Sequence, residues 1–264
     1  MIHHLNCGTL RPPGTPGGLV CHVLLVETPG GLVLVDSGYG LRDAADPWRR
    51  VGMARLLIRP ALDPAEAAIN QIRALGQKPE DVRDIVLTHF DGDHAGGLAD
   101  FPWARVHVTS AEASAVTAPR TFTERYRYLA AVRSHGPDLV THDPGRGDWW
   151  RGFAAATEIL PGVVLVGLPG HTRGHAAVAV SAGSRWVLHA GDAFYHRGEV
   201  DGTGSAPKAL VRSEMMIAHS RPRVAGNHER LRELWTAGHP DLMIVNAHDP
   251  ELLRRARESV GGAC

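Results

Sequence analysis

The sequence predicts a mixed α/β fold in a single domain. Short apolar runs rich in β-branched residues alternate along the chain with segments of helical spacing, which favours interleaved strands and helices. The 264 residues are 44% hydrophobic and 21% charged, as in ordinary globular proteins. The sequence contains no internal repeat, low-complexity tract or obvious linker. We therefore expect one domain over residues 1–264.

The first half of the chain begins with a predicted β-hairpin. Residues 19–26 and 31–35 are apolar and β-branched, and they flank the turn residues Pro29 and Gly30. Apolar side chains at helical spacing predict a helix over residues 63–76. Residues 84–88 and 105–109 are predicted strands, and residues 121–134 are a predicted helix rich in aromatic side chains.

The second half of the chain repeats this alternation. Residues 163–168 form a predicted strand, and residues 176–181 and 185–189 form a predicted hairpin. Two helical segments follow at residues 206–219 and 223–237, and residues 242–246 form a last apolar strand.

Charge and cysteine content restrict the function classes. Lysine plus arginine and aspartate plus glutamate each total 28, so the net charge is zero and a general nucleic-acid-binding role is not expected. Cys7, Cys21 and Cys264 form no close pair and are expected to be free thiols in a reducing compartment. The sequence has neither a signal-peptide pattern nor an apolar run of about 20 residues, so we expect a cytoplasmic protein that does not bind membranes.

The chain contains 16 histidines, and two of them lie in a dense cluster after the predicted strand at residues 84–88. His89, Asp91, Asp93 and His94 fall within six residues, and the first three differ by steps of two. Imidazole and carboxylate together suit zinc, iron or manganese. The alternative interpretation is a polar turn that happens to contain two histidines.

Three further predicted strands end in the same residue types. His171 and His175 follow the strand at residues 163–168, Asp192 follows residues 185–189, and His248 follows residues 242–246. A single histidine at a strand end usually has a structural role, but four such strand ends together indicate a metal site at one edge of a sheet structure.

The segments that carry these residues resemble the metallo-β-lactamase-fold hydrolase superfamily. The matching segments are LVDSG at 34–38, THFDGDHAGG at 88–97, PGHTRGH at 169–175, AGDAFY at 190–195 and NAHD at 246–249. The resemblance implies a four-layer αββα sandwich with one or two metal ions at one end of its sheets.

The resemblance also implies roles for individual residues. His89 and His171 would bind a first metal, Asp93, His94 and His248 a second, and Asp192 would bridge the two. Asp36 resembles the carboxylate that orients a ligand histidine. His175 is expected to give structural support rather than to ligate. Tyr195 lies where N-acyl-homoserine lactonases have a tyrosine that polarises the substrate carbonyl, although a packed aromatic is an equal alternative.

Asp91 departs from the family pattern, which usually has histidine at this position. A carboxylate there would make the first site harder and more anionic. A mononuclear enzyme and a protein that has lost activity are the alternatives. We favour retained metal binding, because all the other ligand positions are intact.

The resemblance therefore implies a metal-dependent hydrolase that uses metal-bound hydroxide on an ester, lactone or related acyl substrate. Two divalent ions are expected, with zinc ahead of iron or manganese. Asp93 would orient the nucleophile or move a proton, and Tyr195 would stabilise the developing charge. Residues 39–59 and 120–150 are the candidate loops for choice of a small-molecule substrate. Residues 120–133 are interpreted mainly as an amphipathic helix with a solvated basic side, and a substrate-capping helix with an aromatic face is the alternative. The oligomeric state is left open.

Several alternatives share this scaffold. They are a thioester hydrolase of the glyoxalase II type, a phosphodiesterase, a β-lactamase and an iron-dependent persulfide dioxygenase. A non-catalytic binding protein with an altered metal site is the alternative from a different class.

Overall fold

Two six-stranded β-sheets lie face to face between outer helices in this computed structural model, which describes residues 1–261. The four-layer αββα fold class predicted from the sequence is confirmed. Cys264, which was predicted to be a free thiol, lies outside the described residues.

The first sheet is built from the N-terminal half of the chain. Its first three strands pair antiparallel, and its third to sixth strands pair parallel. In spatial order these strands are β1 (Ile2–Leu10), β2 (Leu19–Thr28), β3 (Gly31–Val35), β4 (Val82–Val86), β5 (Arg105–Thr109) and β6 (Asp138–His142).

The second sheet is built from the C-terminal half. Its strands pair antiparallel except for the last two in the chain, which pair parallel. They are β7 (Asp148–Trp150), β8 (Phe153–Leu160), β9 (Val163–Gly167), β10 (Ala176–Ala182), β11 (Arg185–His189) and β12 (Leu242–Val245), and the spatial order runs from β12 to β7.

Successive side chains of the central strands enter two different cores. In β3, Val33 and Val35 belong to the core that the two sheets share, whereas Leu32 and Leu34 belong to the core beneath the outer helices. Because strand side chains alternate between faces, a strand covered on both sides must be apolar at every position. The continuous apolar runs of the sequence therefore mark buried strands. The shared core supports the single-domain prediction for residues 1–264, which stays a prediction.

Helices cover both outer faces of the sandwich. Ile72 packs on the first sheet, and Leu231 and Leu252 pack on the second. The helices are α1 (Leu41–Ala45), α2 (Pro47–Arg50), α3 (Ala54–Ile58), α4 (Ala68–Ala74), α5 (Gly92–Ala95), α6 (Ser110–Thr117), α7 (Phe122–Arg127), α8 (Lys208–Ile217), α9 (Arg221–Thr236) and α10 (Pro250–Gly261). None of the helices within residues 1–261 is long and apolar enough to cross a membrane.

The helix predicted over residues 121–134 is shorter than expected. A capping box between Thr121 and Glu124 starts α7, which ends at Arg127. Tyr128 leaves the helical conformation, and its hydroxyl donates a 2.8 Å hydrogen bond to buried Glu112. This tertiary contact outweighs the local helical tendency of the segment.

The strands that carry the candidate ligands all end at one edge of the sandwich. Strands β3 and β4 run parallel in the first sheet, and β11 and β12 run parallel in the second. Backbone hydrogen bonds join the two sheets at this edge, from Ala176 N–H to the Thr88 carbonyl (2.9 Å) and from His22 N–H to the Ala247 carbonyl (2.8 Å). The loops after these strands are thereby held together.

Candidate metal centre

The structure brings together all seven residues that were predicted as metal ligands. They are supplied by the loop after β4 and by the loops after β9, β11 and β12. The set is His89, Asp91, Asp93, His94, His171, Asp192 and His248.

One half of this cluster is formed by His89, Asp91 and His171. The Oδ2 atom of Asp91 lies 3.3 Å from His89 Nε2 and 3.1 Å from His171 Nε2. The donor atoms of these three residues lie within 4.8 Å of one another, close enough to share one metal ion. Asp91, at the position where the resemblance implies a histidine, thus lies beside two imidazoles.

The other half is formed by Asp93, His94 and His248. The Asp93 carboxylate lies 3.9 Å from His94 Nε2 and 3.7 Å from His248 Nε2. Cys21, which the sequence did not single out as a ligand, has its sulfur within 4.8 Å of the donor atoms of Asp93 and His248. Burial raises the pKa of this thiol well above its ordinary value, so Cys21 is neutral in the metal-free protein.

Asp192 lies between the two halves. Its Oδ2 atom is 3.4 Å from His171 Nε2, and its Oδ1 atom is 3.3 Å from His94 Nε2 and 3.1 Å from His248 Nε2. Although burial opposes ionisation, His248 and His94 hold the pKa of Asp192 well below its usual range. The ionised carboxylate is thus placed to bridge two cations.

The orientation of the imidazoles fits metal ligation. His94 Nδ1–H donates to Asp36 (2.8 Å), and His248 Nδ1–H donates to the Val20 carbonyl (2.9 Å). His89 Nδ1–H donates to the Thr88 hydroxyl (3.0 Å), whose own proton goes to Asp36 (2.9 Å). With these Nδ1 protons directed outward, each Nε2 atom faces the cluster and offers a lone pair when its imidazole is neutral, the form that binds a metal.

Several buried atoms of the cluster have no hydrogen-bond partner in the structure. They include His89 Nε2, His94 Nε2 and Asp192 Oδ1. Buried polar atoms are nearly always satisfied, so a group of such atoms directed at a common centre without protein partners is the arrangement expected of a cation site. The donor set of imidazoles and carboxylates fits divalent ions such as zinc, iron or manganese.

Asp36 orients residues of the cluster through hydrogen bonds. Its backbone has a positive φ of 59° directly after β3, and its carboxylate accepts hydrogen bonds from His94 and from both the N–H and the hydroxyl of Thr88. Although burial opposes ionisation, His94 lowers the pKa of Asp36. These contacts correspond to the orienting role that the resemblance implied.

His175 does not face the cluster. Its Nδ1–H donates to the Leu168 carbonyl (3.1 Å), and its Nε2 accepts from the backbone N–H of Asp192 (2.9 Å). The ring therefore holds the loop that carries Asp192, as expected for structural support.

Tyr195 is buried beside the cluster. Its ring centroid lies 5.3 Å from that of His248 and 5.9 Å from that of His171. Burial and the nearby Asp192 carboxylate raise the pKa of Tyr195 well above its ordinary value. Its hydroxyl therefore stays protonated and can donate a hydrogen bond at neutral pH.

Arg127 is a site residue that the sequence interpretation missed. Its Nε lies 3.4 Å from Asp91 Oδ1, and its guanidinium donates to the carbonyls of His171 (3.0 Å) and Ile217 (2.7 Å). The interpretation of residues 120–133 as a helix with a solvated basic side is wrong at this position, because the Arg127 side chain is only 9% exposed. Although burial opposes ionisation, Arg127 and His89 hold the pKa of Asp91 well below its usual range.

Glu112, which the sequence also did not single out, holds the two histidine loops together. These are the loop after β4, which carries His89, and the loop after β9, which carries His171. This fully buried carboxylate accepts from the backbone N–H groups of Phe90 (3.0 Å) and Gly174 (3.0 Å) and from the hydroxyls of Thr172 (2.7 Å) and Tyr128 (2.8 Å). No motif in the sequence marks Glu112, since its partners come from three separate segments.

A cavity of about 320 Å³ opens directly above the cluster. Asp91, Asp93 and Asp192 form part of its floor. Its walls are largely apolar and come from residues 39–59, α7 and α8, with Leu10, Leu19, Met53, Leu57, Leu210 and Ile217 among the lining side chains. Residues 39–59 and part of residues 120–150, the predicted substrate loops, thus line the space next to the candidate metal ligands.

Comparisons with known proteins agree with this geometry. The family model of the metallo-beta-lactamase superfamily matches residues 16–243. A probable metallo-hydrolase of Mycobacterium tuberculosis is 53% identical over 261 residues, which is 98% of this chain and 83% of the relative. An N-acyl homoserine lactonase of Bacillus cereus is 28% identical over 197 residues, covering 74% of this chain and 72% of the relative.

A solved structure of an N-acyl homoserine lactone hydrolase, with the product N-hexanoyl-L-homoserine at its catalytic metal centre, shares the fold. The TM-score is 0.69 at 21% identity, over 96% of this chain and 95% of that chain. The family match over most of the chain and the identity to the mycobacterial relative together show that this protein is a metallo-hydrolase of the metallo-beta-lactamase superfamily.

Proposed function

We propose that this protein binds two divalent metal ions and hydrolyses a lactone or ester with an apolar acyl group. Zinc is the preferred ion, and iron and manganese are the alternatives. The observation that carries this proposal is the largely apolar cavity whose floor is the ligand cluster. An apolar pocket with a few convergent polar groups is typical of a small-molecule site. An acyl chain would lie along the walls, and the polar carbonyl would face the floor.

Each ion would have its own set of ligands. His89, Asp91 and His171 would hold the first ion, and Asp93, His94 and His248 the second. Asp192 would contact both ions, as its position between the two halves suggests. Bound divalent ions would activate water as a nucleophile near neutral pH and polarise the carbonyl oxygen.

Asp93 is the proposed carrier of the proton. It lies on the cavity floor, its side chain is 18% exposed, and its carboxylate is in reach of incoming water. In the proposed step the water oxygen bonds to the acyl carbon and the bond from that carbon to the alcohol oxygen breaks. One water proton passes through Asp93 to the departing alkoxide, and the other is released as the product acid ionises.

Tyr195 is the proposed donor to the substrate carbonyl. Its protonated hydroxyl would donate a hydrogen bond to the oxygen that gains negative charge during attack. A donor fixed in a buried site before the reaction stabilises such charge more than a mobile solvent molecule does. The tight packing of the Tyr195 ring against His248 supplies that fixed position.

The named activities of the relatives support a lactone as the substrate. The Bacillus cereus relative and the solved structure both act on N-acyl homoserine lactones, small molecules with a lactone ring and an acyl tail. Such a molecule matches the combination of a polar floor and apolar walls in this chain.

A substrate panel tests the proposal. We expect the metal-loaded enzyme to hydrolyse N-acyl homoserine lactones and aryl esters, with kcat/KM rising as the acyl chain is lengthened. Thioesters and bis(4-nitrophenyl) phosphate serve as comparison substrates for the alternative hydrolase classes. Hydrolysis of only the thioester or the phosphodiester would contradict the proposal.

A further inference from the structure

A second group of buried ligand-type side chains lies behind the segment that carries Tyr195. Glu199 comes from the short 3-10 helix Arg197–Glu199, Glu214 from α8 and His228 from α9. One donor atom from each of the three residues lies within 4.8 Å of the others. None of the three belongs to the cluster described above.

The histidine of this group faces a carboxylate as the ligands of the main cluster do. His228 Nε2 lies 3.0 Å from Glu214 Oε1, close to the 3.1 Å between His248 Nε2 and Asp192 Oδ1. The His228 ring also hydrogen-bonds the backbone carbonyl of Ala193. A neutral imidazole has one N–H. When that N–H donates a hydrogen bond to the Ala193 carbonyl, the other ring nitrogen offers a lone pair.

Both carboxylates have an unpartnered oxygen. Glu214 is fully buried and Glu199 is 8% exposed, and Glu214 Oε2 and Glu199 Oε1 have no hydrogen-bond donor unless one of the two carboxyls is protonated and donates to the other. Among the described side chains no arginine or lysine pairs with either carboxylate. The nearby Arg232 is paired with Glu229 and with the backbone carbonyl of Glu199 instead.

The buried charge of this group must be neutralised, either by protons or by a cation. Burial raises the pKa of Glu199 to about 7 and that of Glu214 to about 8, because two adjacent carboxylates are hard to ionise away from water. Two carboxylates, a neutral imidazole and a divalent ion together are electrically neutral, which removes the penalty for burying unpaired charge. A proton shared between the carboxylates is the competing explanation.

We propose that Glu199, Glu214 and His228 bind a further divalent ion, Zn²⁺ or Mn²⁺, separate from the catalytic cluster. Two carboxylates and one imidazole are a donor set that suits either ion. This ion has a structural role, since it joins α8 and α9 to the segment after Asp192.

The joined segment includes the proposed catalytic tyrosine. Glu199 Oε2 accepts hydrogen bonds from the backbone N–H groups of Tyr195 (2.8 Å) and His196 (2.9 Å). Helix α8 supplies Leu210 and Ile217 to the cavity wall. An ion bound to Glu199 and Glu214 would therefore fix the tyrosine and the cavity wall relative to each other.

Metal stoichiometry tests this site independently of any substrate. The full chain is stripped with a chelator, dialysed against Zn²⁺ or Mn²⁺, and analysed for metal bound per chain. We expect Glu214→Gln to bind one equivalent fewer than the wild type. Glu229→Gln, a change at an exposed carboxylate of α9, is the matched control and should match the wild type. Equal metal content in Glu214→Gln and the wild type would overturn the proposal and favour a shared proton.

A second comparison covers the case in which Glu214→Gln does not fold. The triple variant His89→Ala, His94→Ala, Asp192→Ala disrupts the catalytic cluster, and we expect it still to bind metal. The quadruple variant, which adds His228→Ala, should bind one equivalent of metal fewer per chain. Metal should also raise the melting temperature of the triple variant but not of the quadruple variant. Equal metal content and equal melting behaviour in the two chains would contradict the site. Neither readout depends on whether the protein is a lactonase.

Discussion

At the scale of single residues, Asp91 and Arg127 form a charge pair at the edge of the metal cluster. Asp91 lies within 3.3 Å of both His89 and His171, and Arg127 lies 3.4 Å from its other oxygen. The guanidinium balances the negative charge that a carboxylate brings in place of a neutral imidazole. In the proposed two-metal site, the exchange keeps a ligand at this position and makes the first half of the cluster harder.

Replacing Asp91 tests whether it is a ligand. We expect Asp91→Ala to lower the metal bound per chain by one equivalent, because the first ion would retain only two imidazoles and the shared Asp192. Elemental analysis after dialysis measures this loss. Asp138→Ala, at an exposed position of β6, is the control and should leave metal content unchanged. If Asp91→Ala kept the full metal content, Asp91 would not be a ligand.

Replacing Arg127 tests its structural contribution. Arg127→Met should lower the free energy of unfolding by about 2 kcal/mol, since charged hydrogen bonds to the carbonyls of His171 and Ile217 are lost. Urea denaturation of the metal-loaded chain measures the difference. Arg125→Met, on the exposed side of the same helix, should stay within about 0.5 kcal/mol of the wild type. Equal effects of the two substitutions would show that the buried contacts of Arg127 contribute nothing.

At the scale of elements, helix α6 holds the two histidine loops in register. Its Glu112 accepts from backbone N–H groups of both loops, and Thr109, which caps the helix, donates to the Gly174 carbonyl (2.6 Å). Gly174 lies so close that a Cβ atom built there would be 2.1 Å from the backbone nitrogen of Glu112. The approach of loop to helix thus requires glycine at this position.

An alanine at Gly174 should separate the loop from the helix. We expect Gly174→Ala to lower the free energy of unfolding by about 2 kcal/mol or more, as overpacking does in cores, and to weaken metal binding through His171. Gly226→Ala is the control, because an added Cβ meets nothing within 4 Å in α9. That change should stabilise the chain by about 0.5–1 kcal/mol. If Gly174→Ala left the free energy of unfolding unchanged, the close packing of loop and helix would be contradicted.

Element prediction succeeded where the pattern was continuous and apolar. The strand predicted over residues 105–109 coincides with β5, and the hairpin at residues 19–35 is confirmed. Strand β1 was not recognised, because His3, His4 and Asn6 interrupt its apolar pattern. The helix predicted to residue 134 ends early because the Tyr128 hydroxyl binds Glu112, a contact that local sequence does not reveal.

At the scale of the whole molecule, the residues of the candidate ligand cluster were predictable because each follows a recognisable strand. His171, Asp192 and His248 lie far apart in sequence but meet at the one edge where those strands end. Arg127 and Glu112 were not predictable, since their partners belong to segments that only the packed fold brings together. The apolar cavity likewise depends on several segments that lie far apart in the sequence.

A charge in the cavity wall should weaken binding of long acyl chains. Leu57→Arg is expected to raise KM for a long-chain lactone about tenfold, or about 1.4 kcal/mol, through lost apolar contact. Metal content and the rate with a short-chain lactone should stay near the wild-type values. Leu75→Arg, outside this cavity, is the control and should leave KM unchanged. An unchanged KM in Leu57→Arg would place the acyl chain elsewhere.

Metal dependence of hydrolysis tests the central claim most directly. The chelated chain is titrated with Zn²⁺, and in parallel with Mn²⁺ and Fe²⁺, while hydrolysis of an N-acyl homoserine lactone is recorded. We predict that activity is absent without metal, rises to saturation as metal is added, and does not appear in Asp192→Ala. Full lactone hydrolysis by the chelated chain, or none by the fully metal-loaded wild type, would contradict the proposed metal-dependent lactonase.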